Sequence, residues 1–198
     1  MKLYVLRHED RTMDLTFFSP LTKNGLDNSI ELIKYLEKEK INIVYSSPYI
    51  RTLQTIYPYC KKYNIKQNLD YSLTELYQEE NIPKKSYQIT LPEYIAESFN
   101  FNNEYVSSIL PLDVNFPENV KDFNKRIKNL LKNIIKDNYK SNNSILLVTH
   151  QGVIDLILHT ILKKNNNVKN NLGELKYPKG GLTKIFDNNN WTIDKINW

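Results

Sequence analysis

The 198-residue chain predicts one three-layer α/β domain, with a mostly parallel central sheet and helices on both faces. Three observations lead there. Short apolar runs alternate with amphipathic stretches of helix length. Two of those runs, ending at Arg7-His8 and at Thr149-His150, read as buried strands, each closed by a histidine. The length suits one sizeable core and is short for two, and no internal repeat or domain boundary interrupts it.

The elements follow in order. Leu3 to Leu6 is the first strand, and Arg11 to Phe18 a loop. Thr22 is placed to cap a helix whose Leu26, Ile30, Ile33 and Leu36 recur at helical spacing. Ile41 to Tyr45 is a second strand, leading through Ser46-Ser47-Pro48 into a helix with Arg51 in its first turn. Pro58 is expected to bend or shorten that helix. Ile65 to Leu69 is a third strand. Residues 78–115 carry three prolines and poor periodicity, which reads as a lid-like insertion with its best helix at Leu91 to Phe99. Pro117 to Lys136 is strongly amphipathic. Ser144 to Thr149 is the second His-terminated strand, after which Gly152 is expected to allow a tight turn into a helix from Val153 to Leu162. Asn165 to Asn171 reads as a polar loop. Leu182 to Phe186 and Trp191 to Trp198, joined by Asp187-Asn188-Asn189-Asn190, read as an antiparallel hairpin.

Composition narrows the class. With 40% hydrophobic and 25% charged residues, no window reaches the apolar length of a membrane span, and the first strand is too short for a signal peptide. Cys60 is the only cysteine, so no internal disulfide forms and a cytoplasmic setting is expected. Neither it nor the histidines have the ligand spacing of a structural zinc site, so no metal or other cofactor is expected. The net charge of +5 is mostly lysine spread along helix-like stretches, a solvated face rather than a nucleic-acid patch. Of the 27 lysines and arginines only four are arginine: Arg7, Arg11, Arg51 and Arg126. A chain that almost always uses lysine keeps the planar fork where geometry is required.

In an open α/β sheet, ligands bind beyond the carboxyl ends of the strands. Arg7, His8, Arg51 and His150 all fall there. Two guanidinium forks and two imidazoles suit a phosphoryl group, and a histidine can carry that group covalently. Such chemistry needs a carboxyl group to pass protons to and from oxygen. Glu75, after the third strand, is the natural choice, with Glu79 and Glu80 close enough to serve instead.

The segments Leu6-Arg7-His8, Ser19-Pro20-Leu21-Thr22-Lys23-Asn24-Gly25, Ser46-Ser47-Pro48-Tyr49-Ile50-Arg51-Thr52-Leu53-Gln54-Thr55 and Val148-Thr149-His150-Gln151-Gly152 resemble the histidine phosphatase superfamily, in its phosphoglycerate-mutase-like branch. The resemblance implies that His8 is the phosphorylated nucleophile, that Arg7, Arg51 and His150 bind the phosphoryl group, and that Glu75 donates the proton. Phe116-Pro117-Glu118 and Arg126 also fit the family pattern. Arg11 is similar to an extra arginine of Sts-type phosphatase domains, although it could equally pair with Glu9 or Asp10.

One departure stands out: Glu9 follows the nucleophile, where the family usually has glycine. A carboxylate there repels a phosphate unless it points away or is paired. The resulting expectation is a metal-independent phosphatase acting on a phosphorylated small molecule or phosphoprotein, with no nucleic acid or membrane partner; a homodimer is allowed. Two alternatives stand beside it. One is a phosphate-binding regulatory module disabled by Glu9. The other is a phosphoglycerate mutase, disfavoured because Asp14 lies where those enzymes usually carry asparagine and because they are generally longer.

Overall fold

The computed structural model describes residues 1–14, 16–78, 90–164 and 177–197. Glu79, Glu80, the loop from Asn165 to Asn171 and Trp198 lie outside the described residues. In chain order the elements are β1 (Lys2–Arg7), α1 (Lys23–Glu31), α2 (Ile33–Lys38), β2 (Ile43–Ser46), α3 (Ile50–Tyr63), β3 (Gln67–Leu69), α4 (Glu93–Glu97), α5 (Val120–Asn138), β4 (Ser144–Thr149), α6 (Gln151–Lys164), β5 (Leu182–Asp187) and β6 (Asn190–Lys195). The strands form one sheet in the order β3-β2-β4-β1-β5-β6. β1 to β4 are mutually parallel; only β5 runs against them, pairing antiparallel with β1 and with β6. This is the expected α/β architecture.

The two central strands read as uninterrupted apolar runs because both of their faces are covered. Leu3, Val5, Ile145 and Leu147 point into one core with Phe123, Ile127 and Leu130 of α5 and Val153, Ile154 and Ile157 of α6. Tyr4, Leu6, Leu146 and Val148 point the other way, against Leu36 of α2 and Ile56, Tyr59 and Cys60 of α3. Alternate residues of one strand therefore feed opposite cores.

Several local expectations are corrected. Thr22 does cap α1, its hydroxyl accepting from Gly25 N–H at 3.1 Å, but Leu26 and Ile30 remain 42% and 57% exposed. The face of α1 turned inward carries Gly25 and Ser29, with Leu32 and then Leu36 of α2 following, because small residues let α1 approach its neighbours closely. A Cβ on Gly25 would lie 2.1 Å from the Asp10 carbonyl oxygen. Pro58 does not end α3, which continues to Tyr63 and stops at Asn64 in the left-handed region. The cost is the one ladder bond that a proline cannot donate. β3 begins at Gln67 because Ile65 N–H still closes that helix end on the Cys60 carbonyl. α5 starts only at Val120, where the Asn119 side chain accepts from Asp122 N–H. The β5–β6 hairpin turns through Asn188 and Asn189, both at positive φ, as a two-residue hairpin loop requires.

Of residues 78–115, the described part from 90 onward lies along the β3 edge. Gln67 exchanges backbone hydrogen bonds with Asn100 and Asn102, and buried Asp70 accepts from Tyr105 and Ser108. The helix expected over Leu91 to Phe99 is only the short α4.

Candidate active site

Parallel strands bring their carboxyl ends to one rim. Arg7 ends β1 with His8 following; Ser47 follows β2, His150 follows β4, and Glu75 lies one 3-10 turn beyond β3. The sheet pairing continues a residue past the strands, with His8 N–H donating to Thr149 O and Ser47 N–H to Val148 O, each at 3.0 Å. Together these ends enclose a cavity of about 150 Å³ lined by Arg7, His8, Arg11, Met13, Arg51, Glu75, His150, Gln151 and Lys179. All six residues singled out from the sequence are thus brought to one space. None of its described lining residues comes from 90–115.

The two imidazoles are buried with ring centroids 5.3 Å apart. His8 Nδ1 lies 2.8 Å from the Glu9 carbonyl oxygen. A carbonyl only accepts, so Nδ1 carries the proton and the neutral ring keeps its lone pair on Nε2. Burial, reinforced by the nearby Arg51 charge, pushes the His8 pKa down to about 3 and so holds the ring neutral. His150 is depressed by the same two effects; its Nε2 meets Ser47 Oγ at 2.9 Å and its ring packs edge-on against Tyr49.

Three guanidiniums supply positive charge. Arg7 Nη1 donates to Tyr177 O at 2.5 Å and Arg51 Nη1 to Thr16 O at 3.0 Å. Arg51 also lies 4.4 Å above the Tyr49 ring. Burial lowers the Arg51 pKa to about 10, which still leaves it charged at neutral pH. Arg11 donates to Thr12 O at 2.6 Å and lines the cavity instead of pairing with Glu9; Asp10 pairs with Lys179. Three buried atoms of these side chains, Arg7 Nε, Arg51 Nε and His150 Nδ1, have no hydrogen-bond partner among the described residues.

Glu75 is fixed at the start of α6. Its carboxyl accepts from Leu76 N–H at 3.0 Å and from Gly152 N–H at 3.1 Å, and burial holds its pKa above the ordinary carboxylate value. Gly152 is therefore needed for space and not for a turn: it lies within α6, and a Cβ there would come 2.3 Å from Glu75 Oε1.

Glu9 does not line the cavity. Its buried side chain turns toward Asn28, whose amide donates to it at 3.4 Å, and toward Gly180. A Cβ on Gly180 would lie 1.9 Å from Glu9 Oε1, and Gly180 has φ +68°. The glutamate that replaces the usual glycine is thus accommodated by a second glycine far along the chain. Gly180→Ala is expected to destabilise the protein by about 2 kcal/mol or more, from left-handed strain plus the clash. In a Glu9→Gly background only the strain should remain, so the loss shrinks. Denaturant unfolding of the four proteins checks this, and strictly additive losses would contradict it.

Ser47, Gln151 and Lys179 were not singled out from the sequence. Ser47 and Gln151 lie inside recognised segments, beside the site residues they accompany. Lys179 enters only because β5 returns along β1, which no local pattern signals. Among the described residues, no group of three His, Cys, Asp or Glu side chains could hold a metal ion, and no helix is long and apolar enough to cross a membrane.

The strand ends of this α/β sheet gather two neutral imidazoles, three guanidiniums and a carboxyl around one small cavity. The chain belongs to the histidine phosphatase superfamily (branch 1), whose sequence model matches residues 9–198. Among curated proteins nothing matches it by sequence. Solved structures with the same fold include the ecdysone phosphate phosphatase from Bombix mori in complex with tungstate (TM-score 0.74, 16% identity, covering 97% of this chain and 91% of that one). They also include the alpha-ribazole phosphatase from Shigella flexneri (0.68, 17%, 100% and 96%). A third is a phosphoglycerate mutase from Bacillus anthracis (0.66, 18%, 99% and 92%).

Proposed function

We propose that the protein is a phosphomonoesterase that needs no metal ion and works through a phosphohistidine on His8. The observation that carries this reading is the state of His8: a neutral ring with Nδ1–H tied to the Glu9 carbonyl and Nε2 without a hydrogen-bond partner among the described residues, in a cavity shared with Arg7, Arg51 and His150. In the first step Nε2 attacks phosphorus, the P–O ester bond breaks, and the Glu75 carboxyl gives its proton to the leaving oxygen. In the second, the Glu75 carboxylate takes a proton from water, the resulting hydroxide attacks phosphorus, and the P–N bond breaks. Inorganic phosphate leaves and His8 returns to its starting tautomer.

Arg7, Arg51 and Arg11 oppose the two negative charges of the phosphoryl group, the role a metal ion would otherwise fill. The unpartnered Arg7 Nε, Arg51 Nε and His150 Nδ1 are suited to phosphoryl oxygens. The fold shared with phosphatases and a mutase supports the reaction class; the substrate is assigned only as a phosphate ester, small molecule or phosphoprotein. The regulatory-module alternative loses its basis with Glu9 turned away from the cavity.

The test is release of phosphate from p-nitrophenyl phosphate by chelator-treated protein. Steady release is expected. Phosphate binding without turnover would instead make the chain a binding module, and interconversion of phosphoglycerates without release would make it a mutase. Because Glu75 must be protonated when the leaving oxygen is a poor one, kcat/KM on p-methoxyphenyl phosphate should fall on the alkaline side as that carboxyl ionises, above the usual carboxylate range. A Glu75→Gln variant should be slow and lack that limb; an unchanged alkaline limb would assign it to another group.

A further inference from the structure

We infer that Arg126 is a positioning residue for the proton donor: together with Glu118 it fixes the backbone on both sides of Glu75. The inference rests on the reading of Glu75 given above. Arg126 and Glu118 are both buried, at 5% and 3% exposure. A guanidinium has five N–H donors, and every one of Arg126's is used within this small region. Nε and Nη2 hold the Glu118 carboxylate as a fork, at 2.7 and 2.9 Å. The remaining donors reach backbone carbonyls of a single segment: Nη1 to Ser72 at 2.6 Å and Thr74 at 3.0 Å, and Nη2 to Glu75 itself at 3.1 Å.

Glu118 completes the frame from the other side of Glu75. Its carboxylate accepts from Tyr77 N–H at 3.3 Å, and its own N–H donates to Tyr77 O at 2.7 Å. Residues 72 to 77 are thus anchored at both ends, with the Glu75 side chain projecting between the anchors to Gly152 N–H and the cavity. Turn carbonyls normally bond to water on the surface. Here a buried ion pair takes that place, at the desolvation cost such a pair carries. Lysine could not substitute, since a point charge cannot address a carboxylate and three carbonyls at once. A misplacement of about 1 Å at a reacting group is enough to lose roughly 100-fold in rate, which is the scale of error this clamp prevents.

The experiment separates positioning from plain support by leaving-group dependence. kcat/KM reports only the steps through phosphoryl transfer to His8, so it isolates the proton donation. A p-nitrophenoxide leaves with little protonation, whereas a p-methoxyphenoxide needs it. Wild type, Glu75→Gln and Arg126→Lys are compared on a series of phenyl phosphates between those two. Both variants are expected to lower the p-methoxyphenyl to p-nitrophenyl ratio of kcat/KM about tenfold. If Glu75→Gln lowers the ratio and a folded Arg126→Lys does not, Arg126 is only structural and the inference is overturned. If Glu75→Gln leaves the ratio unchanged, the proton-donor reading itself fails, and this inference with it. Should Arg126→Lys not fold, the paired replacement Arg126→Leu with Glu118→Leu removes the buried charges together, and the same ratio decides.

Discussion

His8→Ala should abolish turnover, with kcat on p-nitrophenyl phosphate falling about 10⁴-fold or more while the protein still unfolds cooperatively. In the proposed mechanism this residue supplies the attacking atom, Nε2, and its tautomer and charge suit that task. The carbonyl of Glu9 directs the proton to Nδ1, and burial beside Arg51 keeps the ring unprotonated far below neutral pH. Without it, water must attack the ester directly in a cavity that still binds phosphate. Binding of inorganic phosphate by the variant should therefore persist, and calorimetry checks it. Retention of most of the activity in a folded variant would remove His8 from the mechanism.

Arg51→Lys is the next largest effect, a fall of about 10²–10³ in kcat/KM on the same substrate. Two physical reasons combine. The guanidinium stacks on Tyr49 while one nitrogen donates to Thr16 O, so its plane is fixed relative to the cavity. A lysine offers no plane to fix. The second reason is charge: burial has brought Arg51 down to about 10, and a lysine starts roughly two units lower. The same burial then carries a lysine close to neutrality, where it loses the charge the phosphoryl group needs. The residual activity of the variant should accordingly decline more steeply than wild type toward alkaline pH. Activity close to wild type at neutral and alkaline pH would show that Arg51 contributes neither a directed fork nor an essential charge.

Much of the site was legible in the sequence because of a residue bias. A chain that spends lysine freely keeps only four arginines, and three line the cavity while Arg126 clamps the Glu75 segment. Arg126 falls under the same rarity argument, and its ion-pair partner Glu118 lies in the Phe116-Pro117-Glu118 segment that fits the family pattern beside it. The strands β1 and β4 were equally plain, since covering both faces forces an unbroken apolar run. Close approach was not legible. Gly25, Gly152 and Gly180 each make room for a particular oxygen of Asp10, Glu75 or Glu9, and hydropathy patterns register none of these contacts. The same blindness made Leu26 and Ile30 look like core, when the inward face of α1 is carried by glycine and serine. Lys179 and the fate of the Glu9 side chain depend on how a distant turn folds back on β1, and only tertiary structure holds that information.

The covalent step is tested most directly by rapid-quench peptide mapping during turnover of an aryl phosphate, worked up in alkali because a phosphoramidate is lost in acid. One phosphoryl group on the peptide containing His8 is the expected result, absent in His8→Ala. Turnover with the phosphoryl group on another residue, or with none on the protein at any time point, would contradict it.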